Sequence, residues 1–134
     1  MTQRPWLDAY PADIPATIDQ AQVPTLVQLL NQAFIQYADR TALHFMGARF
    51  SYRQVDQYSM ALAAYLQTLS LVKGDRVALM MPNVPQYAAA VAAVLRAGLV
   101  VVNVNPLYTS SELNHQLHDS GAKVMIVLEN FGAT

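Results

Sequence analysis

GDRVALMMPNVPQYAAAVAAVLRAGLVVVNVNPLYTSSELNHQLHDSGAKVMIV, residues Gly74–Val127, is the stretch whose reading decides the fold. It carries three short apolar runs, Arg76–Met81, Leu99–Val104 and Lys123–Leu128, rich in β-branched residues or methionine. An apolar run without alternation suits a strand covered on both faces, as in a parallel sheet with helices above and below. The two segments between the runs have helical spacing. Strand, helix, strand, helix, strand predicts two successive right-handed βαβ units. Ligands in such sheets bind outside the carboxyl ends of the strands. Those ends are Pro82–Asn83 and Asn105–Tyr108, so Asn83, Asn105 and Tyr108 are the candidate crevice residues. Plain loop and cap roles suit the same three residues.

Local signals sharpen the two helices. Asn83 is a candidate N-cap and Pro85 stands in the first turn of the helix that follows. From Tyr87 to Leu95 that helix has no polar face, which predicts burial on all sides. Thr109 and Glu112 match a capping box that opens the second helix, and Gly121 closes it.

Upstream, Thr25–Tyr37 reads as a helix. Thr25 and Gln28 match another capping box, and Leu26, Leu29, Leu30, Ala33, Phe34 and Tyr37 form an apolar stripe expected to be core. Thr41–Met46 and Arg49–Phe50 flank Gly47-Ala48, which predicts a β-hairpin. Ser51 and Gln54 open a further helix, about Tyr52 to Leu69, with Val55, Tyr58, Leu62, Leu66 and Leu69 on one side. Residues 1–24 hold four of the seven prolines and read as an extended arm. Trp6, Leu7, Tyr10 and Ile14 would let that arm lie across a folded surface; a disordered leader is the other reading. The expected organisation is thus an arm, residues 1–24, and an incomplete α/β unit, residues 25–134.

Composition points the same way. At 134 residues one domain is expected. Charged residues are 13% of the chain and hydrophobic ones 54%, against about 25% charged in an ordinary soluble domain. A small free domain has much surface to cover, so this chain is expected to oligomerise or to belong to a larger body. The last strand would also leave a bare sheet edge near residue 134, which again predicts a longer protein. A net charge of −1 with scattered cations argues against nucleic acid as a partner. Cysteine is absent, Met1–Leu7 lacks signal-peptide character, and the longest strictly apolar run, Tyr87–Leu95, is too short to span a bilayer. An intracellular protein is expected.

Catalytic patterns are missing from these residues. The five glycines are dispersed, so neither G-x-G-x-x-G nor G-x-x-x-x-G-K-[ST] occurs. His115 and His118 lie three apart beside Asp119, a spacing that could hold a metal. The wheel, however, sets them opposite Leu113 and Leu117, on the solvent side. His44 falls in a hairpin strand without a nearby nucleophile or acid in sequence, and no serine sits on a tight Gly-flanked turn.

As a pattern, the opening stretch resembles the N-terminal part of the adenylate-forming acyl-CoA synthetases, most closely the bacterial long-chain fatty acid–CoA ligases. WLDAYPADIP resembles their leader, and YADRTALHFMGARFSYRQVDQYSMALAAYLQ their first helix, hairpin and second helix. The valine-rich strand followed by Asn-Pro-Leu-Tyr-Thr and Glu-Leu is the most specific element, and Asn103–Tyr108 with the leader favours the fatty acid branch. The resemblance implies a much longer enzyme with ATP, Mg and coenzyme A as cofactors and a long-chain fatty acid as substrate. Its two steps are formation of an acyl-adenylate with release of pyrophosphate, then thioester formation with release of AMP. It also implies a cytoplasmic protein at the inner face of the membrane. The family's phosphate loop, adenine motif, ribose-binding acid and catalytic lysine have no counterpart here. The chain is therefore expected to be an N-terminal scaffold fragment that is inactive alone and binds none of the cofactors. An aryl-CoA ligase, a peptide-synthetase adenylation domain and a self-contained interaction module are the competing readings.

Overall fold

The computed structural model describes residues 4–132; the first three residues of the predicted arm and the last two of the chain lie outside it. In chain order the elements are α1 (Leu26–Gln36), β1 (Thr41–Phe45), β2 (Ala48–Ser51), α2 (Tyr52–Thr68), β3 (Arg76–Met80), α3 (Pro85–Arg96), β4 (Val100–Val104), α4 (Ser110–Ser120) and β5 (Val124–Val127). β1 and β2 form an antiparallel hairpin, while β4, β3 and β5, in that spatial order, form one parallel sheet. The α/β class and the three parallel strands are those expected from the opening stretch.

Local chemistry explains where the helices start. At α1, α2 and α4 a hydroxyl, from Thr25, Ser51 and Thr109, accepts the N–H three residues on. The side chain at that third position, Gln28, Gln54 or Glu112, accepts the cap residue's own N–H. Each exchange satisfies two donors that the helix leaves orphaned. α3 starts differently: Pro85 occupies its first turn, Val84 is its cap, and no side chain caps it. Asn83, expected as that cap, is instead an exposed loop residue. Gly121 ends α4 at φ +61, in the left-handed region, and its N–H donates to the carbonyls of Leu117 and His118. The hairpin turn lies at Met46-Gly47, one residue before the expected Gly47-Ala48, with positive φ at both positions (49 and 82). Two successive positive φ values match the twist of a two-residue hairpin better than a turn through Ala48 would.

β3 is the centre of the core. Val77, Ala78, Leu79 and Met80 have no exposed surface at all. Val77 and Leu79 face Leu66 of α2 and Ala90 and Val94 of α3, joined by Val101 of β4 and Val124 and Ile126 of β5. Ala78 and Met80 face Leu113 and Leu117 of α4, with Val102, Val104 and Val127. Successive strand residues point to opposite faces, so an uninterrupted apolar run is what a strand buried on both sides requires. Nothing between Tyr87 and Leu95 is exposed, as the all-apolar reading of α3 predicts. Its partners are the sheet below and α1 and α2 above.

The second helix packs as its pattern suggests, except that Tyr58 stays 53% exposed. α1 differs more. Leu26 and Leu29 are about half exposed and only Phe34 is fully buried, so the expected core stripe is half a stripe. Arg96 holds the inner half in place. Its guanidinium donates to Asn31 of α1 at 2.9 Å and to Asp56 of α2 at 2.6 Å, and lies 5.5 Å above the Phe34 ring. The arm is not extended throughout: Pro5–Ala9 and Gln20–Gln22 form short 3-10 turns. Trp6, Tyr10 and Ile14 remain 44–56% exposed.

Candidate functional site

The two crossovers leave the sheet on opposite faces. α3 carries the chain from β3 to β4 over the face of Val77 and Leu79. α4 carries it from β4 back across β3 to β5, over the face of Ala78 and Met80. The loops that follow the neighbouring strands β3 and β4 therefore leave toward opposite faces, the arrangement beside which ligands bind in open α/β sheets. Met80 and Val104 are register partners, so Asn83 lies three residues beyond one strand end and Asn105 one residue beyond the other. All three candidate residues border this switch point, but not as one cluster.

Asn105 has a local task. Its side-chain oxygen accepts the N–H of Leu107 at 3.0 Å, and its carbonyl accepts the N–H of Tyr108 at 3.1 Å. This Asx turn bends the chain from β4 toward α4. Tyr108 packs against the Ala78, Met80, Val104 and Leu113 cluster. It borders an open groove of about 480 Å³ shared with Ser111, Glu112, His115, Gln116 and Asp119. Asn83 stands on the other lip and is exposed. Asn105 and Tyr108 are thus tied by a backbone hydrogen bond, whereas Asn83 belongs to the loop that leads into α3.

Asn103 is the residue that the sequence reading passed over. Its side-chain oxygen accepts the Tyr87 hydroxyl at 2.9 Å, and its carbonyl accepts Gln116 Nε2 at 2.9 Å. One strand residue thus ties the first turn of α3 to the middle of α4 across the edge of β4. Its visible signal was a single amide inside a run of valines. Gln116 Oε1 is buried with no donor within hydrogen-bonding distance, the one buried side-chain polar atom left so among the described residues.

The acid and base groups near the site do structural work. The Glu112 carboxyl is held below its usual range by the Thr109 N–H and then by the Thr109 hydroxyl, the cap that opens α4. His115 and His118 are exposed, on the side of α4 away from Leu113. Among the described residues no three His, Cys, Asp or Glu side chains converge as metal ligands. Far from the crevice, at the start of β3, Asp75 is almost fully buried. It accepts the Val72 N–H at 2.8 Å and meets Lys123 Nζ at 2.8 and 2.9 Å through its two oxygens. Lys123 first, then the Val72 amide, holds its carboxyl below the ordinary value. No described helix is long and apolar enough to cross a membrane.

A smaller, apolar pocket of about 330 Å³ lies between Phe50 of the hairpin, Tyr58 and Leu62 of α2, and Pro85, Gln86 and Ala89 of α3. Its lining holds no carboxylate, amine, imidazole or thiol. The geometry supplies the two loops beyond β3 and β4 and the packed α/β core behind them.

Comparison with known proteins agrees with that partial character. The model of the AMP-binding enzyme family matches residues 30–134. A long-chain-fatty-acid–CoA ligase of Salmonella typhimurium is 53% identical over 130 residues, covering 96% of this chain but 23% of the ligase. The chain thus spans about a quarter of the length of the curated relatives it matches. Among solved structures, the N-terminal subdomain of NpsA from Klebsiella oxytoca in complex with 3-hydroxyanthranilyl-AMSN superposes with a TM-score of 0.74. It is 28% identical, over 78% of this chain and 27% of that one. The anthranilate CoA ligase AuaEII in complex with anthranoyl-AMP reaches the same TM-score at 25% identity, over 78% of this chain and 20% of that one. With a family match over most of its length, a half-identical ligase relative and a shared α/β core, the chain belongs to the AMP-binding enzyme family.

Proposed function

We propose that this chain is the N-terminal segment of an AMP-forming long-chain fatty acid–CoA ligase and that it serves there as scaffold. The observation that carries the reading is the 53% identity to such a ligase across nearly the whole chain, at less than a quarter of the ligase's length. The longer protein would join a fatty acid to coenzyme A through an acyl-adenylate, using ATP and Mg. In this reading the nucleotide- and metal-binding roles belong to other parts of the ligase. Residues 25–134 form the α/β unit in this reading and residues 1–24 an arm that precedes it. Asn83, Asn105 and Tyr108 border the side of the crevice that the rest of the enzyme closes. The protein works in the cytoplasm, at the inner face of the membrane, and has no nucleic-acid partner. The low charge content also supports self-association of the longer protein.

The experiment is in two arms. The 134-residue chain is assayed for ATP–pyrophosphate exchange with palmitate, where no exchange above background is expected; robust exchange would refute the scaffold role. In the second arm the chain replaces the matching segment of the Salmonella ligase. The chimera is expected to make palmitoyl-CoA within about tenfold of the parent rate, since a scaffold swap leaves the reacting groups in place. A soluble, folded chimera that makes no palmitoyl-CoA would refute the scaffold role.

A further inference from the structure

Asn103 interrupts a strand that is otherwise valine, and two bonds converge on it from opposite faces of the sheet. Its register partner on β3 is Leu79, so its side chain shares the α3 face with Val101. There its oxygen accepts the hydroxyl of Tyr87, in the first turn of α3. No side chain caps that helix, and the Tyr87 bond fastens its opening turn to β4 from the side. The Asn103 carbonyl accepts Gln116 Nε2 from α4, which crosses the other face. The loop that carries Asn105 and Tyr108 runs between Asn103 and Gln116, so their bond closes it into a ring. Gln116 also lines the groove beside Tyr108. Both polar residues run against local stability. Asparagine is poorer than valine inside a strand, and Gln116 reaches Asn103 while its own Oε1 stays buried without a donor. Locally unfavourable residues that meet one another are where a functional constraint is expected.

We propose that Asn103 is a positioning residue for the ligand site at the switch point. Through Tyr87 and Gln116 it fixes the spacing between the loop that follows β3 and the loop that follows β4. The proposal rests on the ligase reading and adds the residue that holds these two loops in register for the acid-activating step. The loop after β3 enters α3 just before the turn that carries Tyr87, and the loop after β4 enters α4 ahead of Gln116. Both bonds end on one strand residue, so a displacement of either helix start is opposed from the other face. Small errors matter at such a place, since a misplacement of about 1 Å can slow a reaction about a hundredfold. A tie that only stabilised the fold would lose stability and activity together, whereas a positioning tie separates the two.

The test uses the chimera with the Salmonella ligase. Asn103→Leu keeps the size of the side chain and removes the acceptor, and Tyr87→Phe removes the donor. Each is expected to lower palmitate-dependent ATP–pyrophosphate exchange about tenfold while the urea midpoint stays unchanged. The two together are expected to lose no more than either alone, because both remove the same bond. Asn103→Asp keeps an acceptor for the Tyr87 hydroxyl and is expected to recover most of the parent rate. Gln116→Met removes the second bond and the orphaned oxygen at once, and is expected to slow pyrophosphate exchange without lowering the urea midpoint. Parent activity in Asn103→Leu, or losses matched throughout by falling midpoints, would overturn the positioning role. An unsubstituted chimera that makes no palmitoyl-CoA would sink the ligase reading instead, and the tie is then read by hydrogen exchange on the 134-residue chain. There Tyr87→Phe is expected to speed exchange at the Tyr108 and Leu113 amides about threefold, with the Val77–Met80 amides unchanged. Tyr108 and Leu113 amides that ignore the substitution would overturn the coupling between the two loops.

Discussion

The two faces of the parallel sheet are covered in opposite ways. One face lies beneath two helices, α2 and α3, and buries Leu66, Leu79, Ala90 and Val94 almost completely. The other lies beneath α4 alone, which contributes one fully buried side chain, Leu113, and otherwise shows polar groups to solvent. The same strand, β3, is sealed on both. A helix apolar all round needs neighbours on every side, and α3 finds them in the sheet, α1 and α2. A helix with one narrow apolar stripe needs only the sheet, and its outer face stays free. The stability of this chain is therefore expected to reside on the α3 side, and its adaptable surface on the α4 side, where Tyr108 and the groove lie.

Substitutions can break that contrast. The largest effect is expected from Leu79→Ala beneath α3, about 3–5 kcal/mol by denaturant unfolding, because a fully enclosed site cannot collapse around the lost volume. Leu113→Ala beneath α4 is expected to cost less, about 2–3 kcal/mol, since its site borders solvent and can relax. Equal losses would refute the asymmetry.

A smaller effect tests how α4 is held. Thr109→Ala removes the hydroxyl that caps the helix and also the partner of Glu112, at a cost of about 1 kcal/mol. Because little packing backs it up, the loss is expected as faster hydrogen exchange confined to the first turns of α4. Exchange that rises equally throughout α3 would show the two faces to be one cooperative unit. The smallest effect concerns pH. Asp75 has a lowered pKa, so the unfolded chain binds its proton more readily than the folded one. Its contribution is present above the ordinary carboxylate value of 3.8 and is lost as pH falls through the lower folded value. Asp75→Asn is expected to lower the urea midpoint at pH 7 and to flatten its fall below about pH 4. An unchanged acid slope would mean that Lys123 and Val72 do not distinguish the charged form. Glu112, lowered by its cap bonds, has the same sign on the other face.

Much of this molecule was legible residue by residue. Three capping boxes, the left-handed Gly121 and the burial of α3 follow from short-range patterns, because their causes lie within a few residues of one another. The exceptions share a cause. Leu26 and Leu29 satisfy helical spacing, yet spacing cannot say whether another element arrives to cover them. The hairpin turn moved by one residue because Met46 accepts a positive φ, which its residue type gave no reason to expect. Asn83 is free of the cap because Pro85 and Val84 begin α3 without it. For the site, the strand ends were readable from the alternation of elements, whereas Asn103 was not. Its partners, Tyr87 and Gln116, lie 16 and 13 residues away on helices of opposite faces.

By itself the sequence determined the strands, the helices and their ends, and the resemblance that leads to the ligase reading, since all of these depend on neighbours along the chain. Only the tertiary structure decided the strand order β4-β3-β5, the opposite courses of α3 and α4, and hence the crevice between the ends of β3 and β4. Strand order is a matter of which apolar faces meet after the chain has crossed the sheet. That choice is made by non-local burial and by crossover handedness, and no single stretch of residues contains it.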